Sequence, residues 1–519
     1  MLLIHDVTAN NARRYPNKIA LIDGDRRHSW SQLDDRARRL ANVLLDRGLQ
    51  AGDRVVVIAR NCIEWPEISF GLSYAGLVAI PVNIRLTPDE VAHIVDDSGA
   101  RAAIVHGDQF DRFAVALEAL DPFVIGNDYE RRLANASPAA PPCPTAPDDM
   151  AVILYTSGTT GRAKGVMHAH RALLYQAADT NLVTEAQASD VMLATTPFFT
   201  AGGMLRTVSW LYLGQTMVIH QRFEPERVLD EIEHHKITFT TFIPTMLQRT
   251  LAMIESGPPR DLSSLRRISY GSAPVPPGLA ERAMTLLGCD LQQRYGLTEC
   301  GGQATILTPQ DHRDIVAGRV SILTSCGRET PMCVIRICDA DGRSLPAHEV
   351  GEIVIESPAN AMGYWNQPQQ TAATFRADGV RTGDMGYLDA DNYLHVTGRQ
   401  TDMIISGGFN VYPAEIERVI AQCDGVELVA VVGVPDAEWG ETPVAVVVPH
   451  PSYTDLHALT AELTTACRER LAGYKQPRRF AYRNELPLGP AGKILKGRIR
   501  EDLDATQPEA VIGHQRSAD

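Results

Sequence analysis

Four aliphatic hydroxyls, three glycines and a lysine fall within eleven consecutive positions, Tyr155-Thr156-Ser157-Gly158-Thr159-Thr160-Gly161-Arg162-Ala163-Lys164-Gly165. Glycines let the backbone come close to an anion, short hydroxyls donate hydrogen bonds, and successive main-chain N–H groups in such a turn form an anion-binding concavity. Lys164 adds a mobile cation. The chemistry is polyphosphate handling. The nucleotide P-loop needs Gly, four residues, then Gly-Lys-Ser/Thr. Here Ala163 precedes Lys164 and Gly165 follows it, so neither the second glycine nor the magnesium-binding hydroxyl is in register.

The string resembles the phosphate loop of the adenylate-forming superfamily, which includes acyl-CoA synthetases, peptide-synthetase adenylation domains and luciferases. The resemblance runs from about Thr8 to Leu503. Tyr295-Gly296-Leu297-Thr298-Glu299 is similar to the family's second signature. Carried over, Glu299 helps hold magnesium on the phosphates, Thr298 contacts phosphoryl oxygens and Tyr295 packs on adenine. A carboxylate suits that place because magnesium takes hard oxygen ligands. Gly271-Ser272-Ala273-Pro274 resembles the segment lining adenine and the acyl pocket. Thr382-Gly383-Asp384 and Gly398-Arg399 resemble the ribose-binding pair, in which Asp384 accepts from two hydroxyls and Arg399 braces it.

Pro490-Ala491-Gly492-Lys493-Ile494-Leu495 is similar to the segment that delivers the adenylation lysine. A carboxylate attacking the α-phosphorus of ATP brings two anions together. A cation bridging both lowers the barrier, and one well-placed donor is worth about 10²–10³ in rate. Ser406-Gly407-Gly408-Phe409-Asn410-Val411-Tyr412-Pro413 resembles the glycine loop lining the pantetheine tunnel, which implies CoA contacts at Gly407 and Gly408. Gly473-Tyr474-Lys475 resembles a CoA-contacting entry, with Lys475, Arg478 and Arg479 available to phosphates.

Two positions depart from the family pattern. In Pro197-Phe198-Phe199-Thr200-Ala201-Gly202-Gly203, Thr200 stands where many relatives carry a histidine gating the acyl pocket. With Phe199, Gly202, Gly301 and Gly302 it outlines a wide, mostly apolar entrance that suits a large acid. In Gly398-Arg399-Gln400-Thr401-Asp402, Thr401 takes the hinge position usually held by Asp or Lys, and β-branching stiffens it.

Elements must hold these segments in place. Ala151 to Leu154 reads as a buried strand leading into the phosphate loop. Residues 31–47 read as a helix capped by Ser31 or Asp34, with Leu33, Ala37, Leu40, Ala41 and Leu44 on one face and Gly48 ending it. Apolar strands at Val55–Ala59 and Ala102–Val105 alternate with helices, which predicts parallel strands covered on both sides. The Pro/Ala stretch from Ser137 to Pro147 reads as a connector. Alternation resumes with strands near 191–195, 217–220, 239–242 and 268–270. Short strands and turns follow from 318. A compact block then carries a helix begun by Pro413, strands at 428–433 and 444–448 and a helix over 455–471.

The expected fold is α/β: a large N-terminal domain of stacked α/β sheets over 1–398 with a small β-rich subdomain at about 318–398. A hinge at 399–402 leads to a small α+β lid over 403–505 and an unstructured tail over 506–519. With 519 residues, three or four folding units are in reach. The net charge of −14 argues against a sequence-independent hold on nucleic acid. Nine scattered cysteines without a Cys-x-x-Cys pair fit reduced thiols in a cytoplasmic protein. No stretch approaches the ~18 apolar residues of a membrane helix, and the first residues are too short a run for a signal peptide.

The resemblance implies an AMP-forming acyl-CoA ligase of fatty acid metabolism that uses ATP, Mg2+ and CoA on a long-chain, aryl or polycyclic acid, with a homodimer left open. Its rivals are an adenylating enzyme that passes the acyl group to a carrier protein or leaves thiolation to a partner, and a non-catalytic nucleotide-binding module.

Overall fold

Val55 and Val57 point into one apolar cluster while Val56 and Ile58 point into another, the alternation of a strand buried on both faces. Their strand, Arg54–Ile58, lies mid-sheet in the computed structural model. The structure describes residues 3–156, 163–271, 277–319, 322, 324–407, 409–436, 439–488, 494–505 and 511–513.

By compactness the chain divides into two units. The larger holds Met1–Arg336, Val354–Thr382 and Asn392–Leu394. One of its sheets has seven strands, ordered Gly363–Tyr364, Lys164–Ala169, Met150–Thr156, Val78–Pro81, Arg54–Ile58, Ala102–His106 and Phe123–Ile125. The other has nine, ordered Arg328–Glu329, Thr305–Leu307, Asp290–Tyr295, Arg267–Gly271, Phe239–Phe242, Val191–Ala194, Thr216–Ile219, Ile19–Asp23 and Arg26–Ser29.

One cluster joins both sheets. Ala79 and Ile104 from the first and Met192, Met217 and Phe239 from the second enclose the helices Trp30–Asp46, Glu64–Tyr74, His170–Val183 and Ala201–Leu211. Outer helices cover the far faces, with Val91 and Phe113 on the first sheet and Val228, Leu251 and Ala283 on the second. The result is five layers, αβαβα. Each fully buried Val, Leu, Ile or Phe contributes about 1.5–3 kcal/mol, so the middle helices are anchored from both sides.

Leu33, Ala37, Leu40, Ala41 and Leu44 are all buried, as their spacing requires. The cap differs from expectation. Ser29 caps the helix through a reciprocal pair with Gln32, and Asp34 is turned inward, where it accepts from Tyr74 Oη at 2.6 Å and Thr8 Oγ1 at 3.0 Å. The helix starts one residue earlier, at Trp30, whose indole is itself core.

The smaller unit holds Ile337–Ile353, Gly383–Asp391 and His395–Asp519. Val426–Asp436 and Gly440–Pro449 form its long antiparallel pair. Ile416, Ile420, Leu459 and Leu463 cover one face of it, and Leu486 and Ile499 cover the other. The β-rich stretch is present as Val334–Cys338, Gly351–Glu356, Phe375–Arg376, Gly379–Leu388 and Leu394–Arg399. Compactness divides it, however, so 337–353, 383–391 and 395–398 go with the C-terminal residues instead of with an intact 1–398 domain. Within the tail, Val511–Gly513 is a strand paired antiparallel with Arg479–Ala481, contrary to an unstructured 506–519. The open edge of Arg479–Tyr482 offers unpaired main-chain groups, and two β-branched residues, Val511 and Ile512, suit the ladder. No helix among the described residues is long and apolar enough to cross a membrane.

Candidate active site

The phosphate-loop string sits on a hairpin. Met150–Thr156 and Lys164–Ala169 pair antiparallel with Thr156 opposite Lys164. Ser157, Gly158, Thr159, Thr160 and Gly161 lie outside the described residues, and the hairpin fixes where their segment begins and ends. Gly165 is dictated by crowding, since a Cβ there would stand 2.6 Å from Ile153 Cγ2. Tyr155 Oη donates to Asp97 at 2.6 Å, and Trp365 N donates to Gly165 O at 2.8 Å, which ties the hairpin base to the body.

Lys164 is 8 % exposed, with Nζ 5.7 Å from the centroid of the Tyr364 ring. The hydroxyl of that tyrosine donates to Glu299 Oε1 at 2.9 Å. The structure thus brings Lys164 and Glu299, which are 135 positions apart in sequence (299 − 164), to the two sides of one aromatic ring. Glu299 lies in the short turn Thr298–Cys300 at half-buried depth, and its carbonyl accepts from Ala361 N at 2.9 Å. Turn geometry explains the glycines around it. Gly301 and Gly302 have φ of 74° and 84°, a region glycine enters without steric cost. A Cβ on Gly296 would stand 2.6 Å from Gln303 N.

Tyr295 closes the strand Asp290–Tyr295, and Gly271 ends the neighbouring strand. Ser272 and Ala273 are outside the described residues. His168 is buried beside the turn: burial pulls its pKa down to about 4, with the Thr298 main chain acting in the other direction. It is therefore a neutral imidazole behind Thr298.

Thr200 is a helix cap. Its hydroxyl donates to Pro197 O at 2.7 Å and accepts from Gly203 N at 3.3 Å, starting the helix Ala201–Leu211. Gly203 is forced there, because a Cβ would stand 2.1 Å from Pro197 O. Phe198 and Phe199 are core residues, Phe198 lying edge-on to Trp65 with centroids 6.3 Å apart. Among the described residues, Gly202 meets only Thr200 Oγ1, at 3.8 Å from a notional Cβ, and Gly302 meets only Leu205 Cδ1 at 3.6 Å. Gly301 is closely packed, a Cβ there standing 3.1 Å from Ala359 O and 3.3 Å from Gln176 Cγ, so the room at this turn lies on the Gly302 side, towards Leu205 of the helix.

In the smaller unit, Arg399 Nε stands 2.9 Å from the buried Asp384 Oδ1, the expected ribose pair in contact. Thr401 is exposed in the turn Gln400–Asp402. Gly407 has φ of 59° and packs against Trp439, where a Cβ would clash at 2.5 Å. Phe409 stacks on Tyr474 at 4.6 Å, and Lys475 Nζ donates to both carboxylate oxygens of Glu415 at 2.8 Å. Gly408 and Lys493 lie outside the described residues. The segment carrying Lys493 is tethered at its ends by the Leu488–Ile494 bridge and by Leu495 N donating to Pro487 O at 2.8 Å.

The sequence reading missed Tyr364, whose two-residue strand has no periodicity to detect. It also missed Arg294 and Arg206. Arg294 stood in plain view as a charge in a strand immediately before Tyr295.

A family model described as AMP-binding enzyme matches residues 8–365, and one described as AMP-binding enzyme C-terminal domain matches residues 415–493. The chain is 36 % identical to a feruloyl-CoA synthase of Amycolatopsis sp over 94 % of this chain and 96 % of that protein. It is 35 % identical to a methyl-dioxo-octahydroindenyl-propanoyl:CoA ligase of Rhodococcus jostii over 95 % and 97 %. Among solved structures, o-succinylbenzoate CoA synthetase of Bacillus subtilis with its acyl-adenylate superposes with a TM-score of 0.84 at 28 % identity, covering 98 % of this chain and 99 % of that one. The same enzyme with ATP and magnesium gives 0.83 at 28 % identity, over 95 % and 98 %.

Proposed function

The chain belongs to the AMP-binding enzymes, and on that premise we propose that it activates a bulky carboxylic acid, long-chain, aryl or polycyclic. It is an ATP-dependent, AMP-forming acyl-CoA ligase. Carboxylate and ATP give an acyl-adenylate and pyrophosphate, and the CoA thiol then displaces AMP. The anhydride is the purpose of the first step, since a free carboxylate is a poor electrophile and AMP is a good leaving group.

The observation that carries the site assignment is the Lys164–Tyr364–Glu299 group at the base of the phosphate hairpin. In this reading Lys164 and the loop residues Thr156 to Gly161 hold the phosphates, Tyr295 packs on adenine, and Asp384 with Arg399 holds the ribose. Lys493 bridges the attacking carboxylate and the α-phosphate, and Gly407, Gly408 and Lys475 meet CoA. Magnesium takes oxygen ligands and is bound through one or two carboxylates plus phosphates. Glu299 fits, with Tyr364 on Oε1 and no partner on Oε2 among the described residues. The ion, when bound, neutralises phosphate charge. Thr401 is the turning point between the half-reactions.

The large acid is supported by Thr200, Gly202 and Gly302, which add little bulk, and by the core packing of Phe198 and Phe199; Gly301, closely packed on Ala359, completes the pocket wall in this reading. The same reading places the enzyme in fatty acid metabolism and in the cytoplasm, a reducing compartment to which its nine free thiols are suited; sedimentation decides on a homodimer. Pyrophosphate exchange across a panel of acids, followed by CoA-dependent release of the thioester from supplied acyl-adenylate, tests the function. Exchange with no acid would refute it.

A further inference from the structure

Arg294 is 3 % exposed, and none of its three guanidinium nitrogens has a hydrogen-bond partner among the described residues. It lies on the strand Asp290–Tyr295. Leu291 and Gln293 face the outer helices, Leu291 in their apolar cluster and Gln293 accepting from Tyr270 Oη at 3.3 Å. Period two then turns Arg294 to the middle layer, where its Cζ is 5.9 Å from the Phe239 centroid. An aromatic face attracts a cation but accepts none of its five N–H hydrogens in the plane of the fork.

A second guanidinium, half-buried, stands close enough for its charge to act on Arg294. Arg206 lies on the helix Ala201–Leu211, six residues beyond Thr200, and makes no ion pair or hydrogen bond among the described residues. Burial pulls its pKa down to about 10. For Arg294 burial is the main cause of a much lowered pKa, and the Arg206 charge is the next. Asp179 is the carboxylate that acts the other way. Its oxygens are already engaged, Oδ2 by Gln303 Nε2 at 3.0 Å and Oδ1 by Met332 N at 3.3 Å. A desolvated cation with a second, half-buried cation beside it and no anion is costly to hold.

Their position says what is missing. Leu205, next to Arg206, is the side chain nearest a notional Cβ on Gly302, and Thr200 caps the same helix. Arg294 directly precedes Tyr295, the expected adenine contact. Both cations therefore stand behind the proposed acyl entrance, on the helix and the strand that bound it. We propose that the acid activated by this chain carries a second carboxylate at its far end, received by Arg294 and Arg206. The assignment rests on the acyl-CoA ligase reading and narrows its substrate class. A planar guanidinium takes a carboxylate in a bidentate pair, so the second carboxylate would be recognised and the first left free to react.

The test is a ratio of catalytic efficiencies within single enzyme preparations, so that the folded fraction cancels. Matched pairs are octanedioate against octanoate and 3-(4-carboxyphenyl)propanoate against 3-phenylpropanoate, with the terminal amide of each diacid as a neutral arm. The wild-type chain should favour the diacids over both comparators by about 30-fold or more, the scale of removing one partner of a buried charged pair. Arg294→Leu and Arg206→Leu should each bring the ratio towards one or invert it. Equal or better use of monoacids by the wild type, or a diacid preference that survives in both variants, overturns the inference while leaving the ligase reading intact. Exchange with no acid in either series fails the ligase reading and this inference with it.

Discussion

The Tyr364 hydroxyl donates to Glu299 Oε1 at 2.9 Å from a two-residue strand paired with Val166 and Met167. The carboxylate is thereby fixed to the strand that begins at Lys164. Tyr364→Phe deletes this bond and keeps the ring under Lys164. A hydrogen bond to a charged group contributes roughly 1.5–3 kcal/mol, so pyrophosphate exchange should fall by about tenfold or more and require more magnesium to saturate. An unchanged magnesium dependence would reduce Tyr364 to a packing residue.

Lys493→Ala should separate the half-reactions. Loss of a cation bridging two anions costs about two orders of magnitude in exchange, whereas conversion of supplied acyl-adenylate to acyl-CoA should largely persist. Equal loss in both steps would contradict its assignment to adenylation.

Thr200→Trp should do two things at once. Removing the cap costs about 1 kcal/mol of stability, visible as a lowered melting temperature. Filling the entrance should also collapse the preference for large acids, since each buried methylene is worth about 0.8 kcal/mol. Thr200→Ser keeps the cap and should keep the preference. If the tryptophan variant still discriminates octanoate from acetate as the wild type does, the entrance lies elsewhere.

Burial holds His168, His170 and His220 neutral, each pulled from the ordinary 6.5 to about 4. Below 6.5 the unfolded chain takes up protons that the folded chain refuses, so stability is complete above about 6.5 and is lost as pH falls towards 4. Each residue accounts for up to about 3 kcal/mol over that window. Urea midpoints should already fall between pH 7 and 5, above the range where most carboxylates titrate, and His168→Gln should flatten the slope. A midpoint constant from pH 7 to 5 would show that the imidazoles find water in the folded state.

Much of the fold was legible because periodicity reports burial. Val55 to Ile58 read as a doubly buried strand, and Leu33 to Leu44 as one face of a helix. The cap at Ser29 was not legible: the apolar pattern begins at Leu33, and nothing local marks Trp30 as interior. The site was legible where motif strings are long, as at Tyr155 to Gly165. Tyr364 reaches Glu299 only through the pairing of Gly363–Tyr364 with Lys164–Ala169, a long-range contact that no local pattern encodes. Arg294 was passed over because no strand was read at 290–295, and only the packed sheet shows that its side chain is interior.

The strand Val511–Gly513 lies at the margin of its sheet, beside Arg479–Tyr482. A chain stopped after Ala505 would leave the main-chain groups of Arg479, Phe480 and Ala481 without that neighbour, and such a margin is a template for a second molecule. For anyone producing the protein, the choice of tag terminus is thus a question of colloidal behaviour: a tag at the amino end leaves the margin covered, whereas trimming the carboxyl end to aid crystallisation should bring on self-association, visible by light scattering.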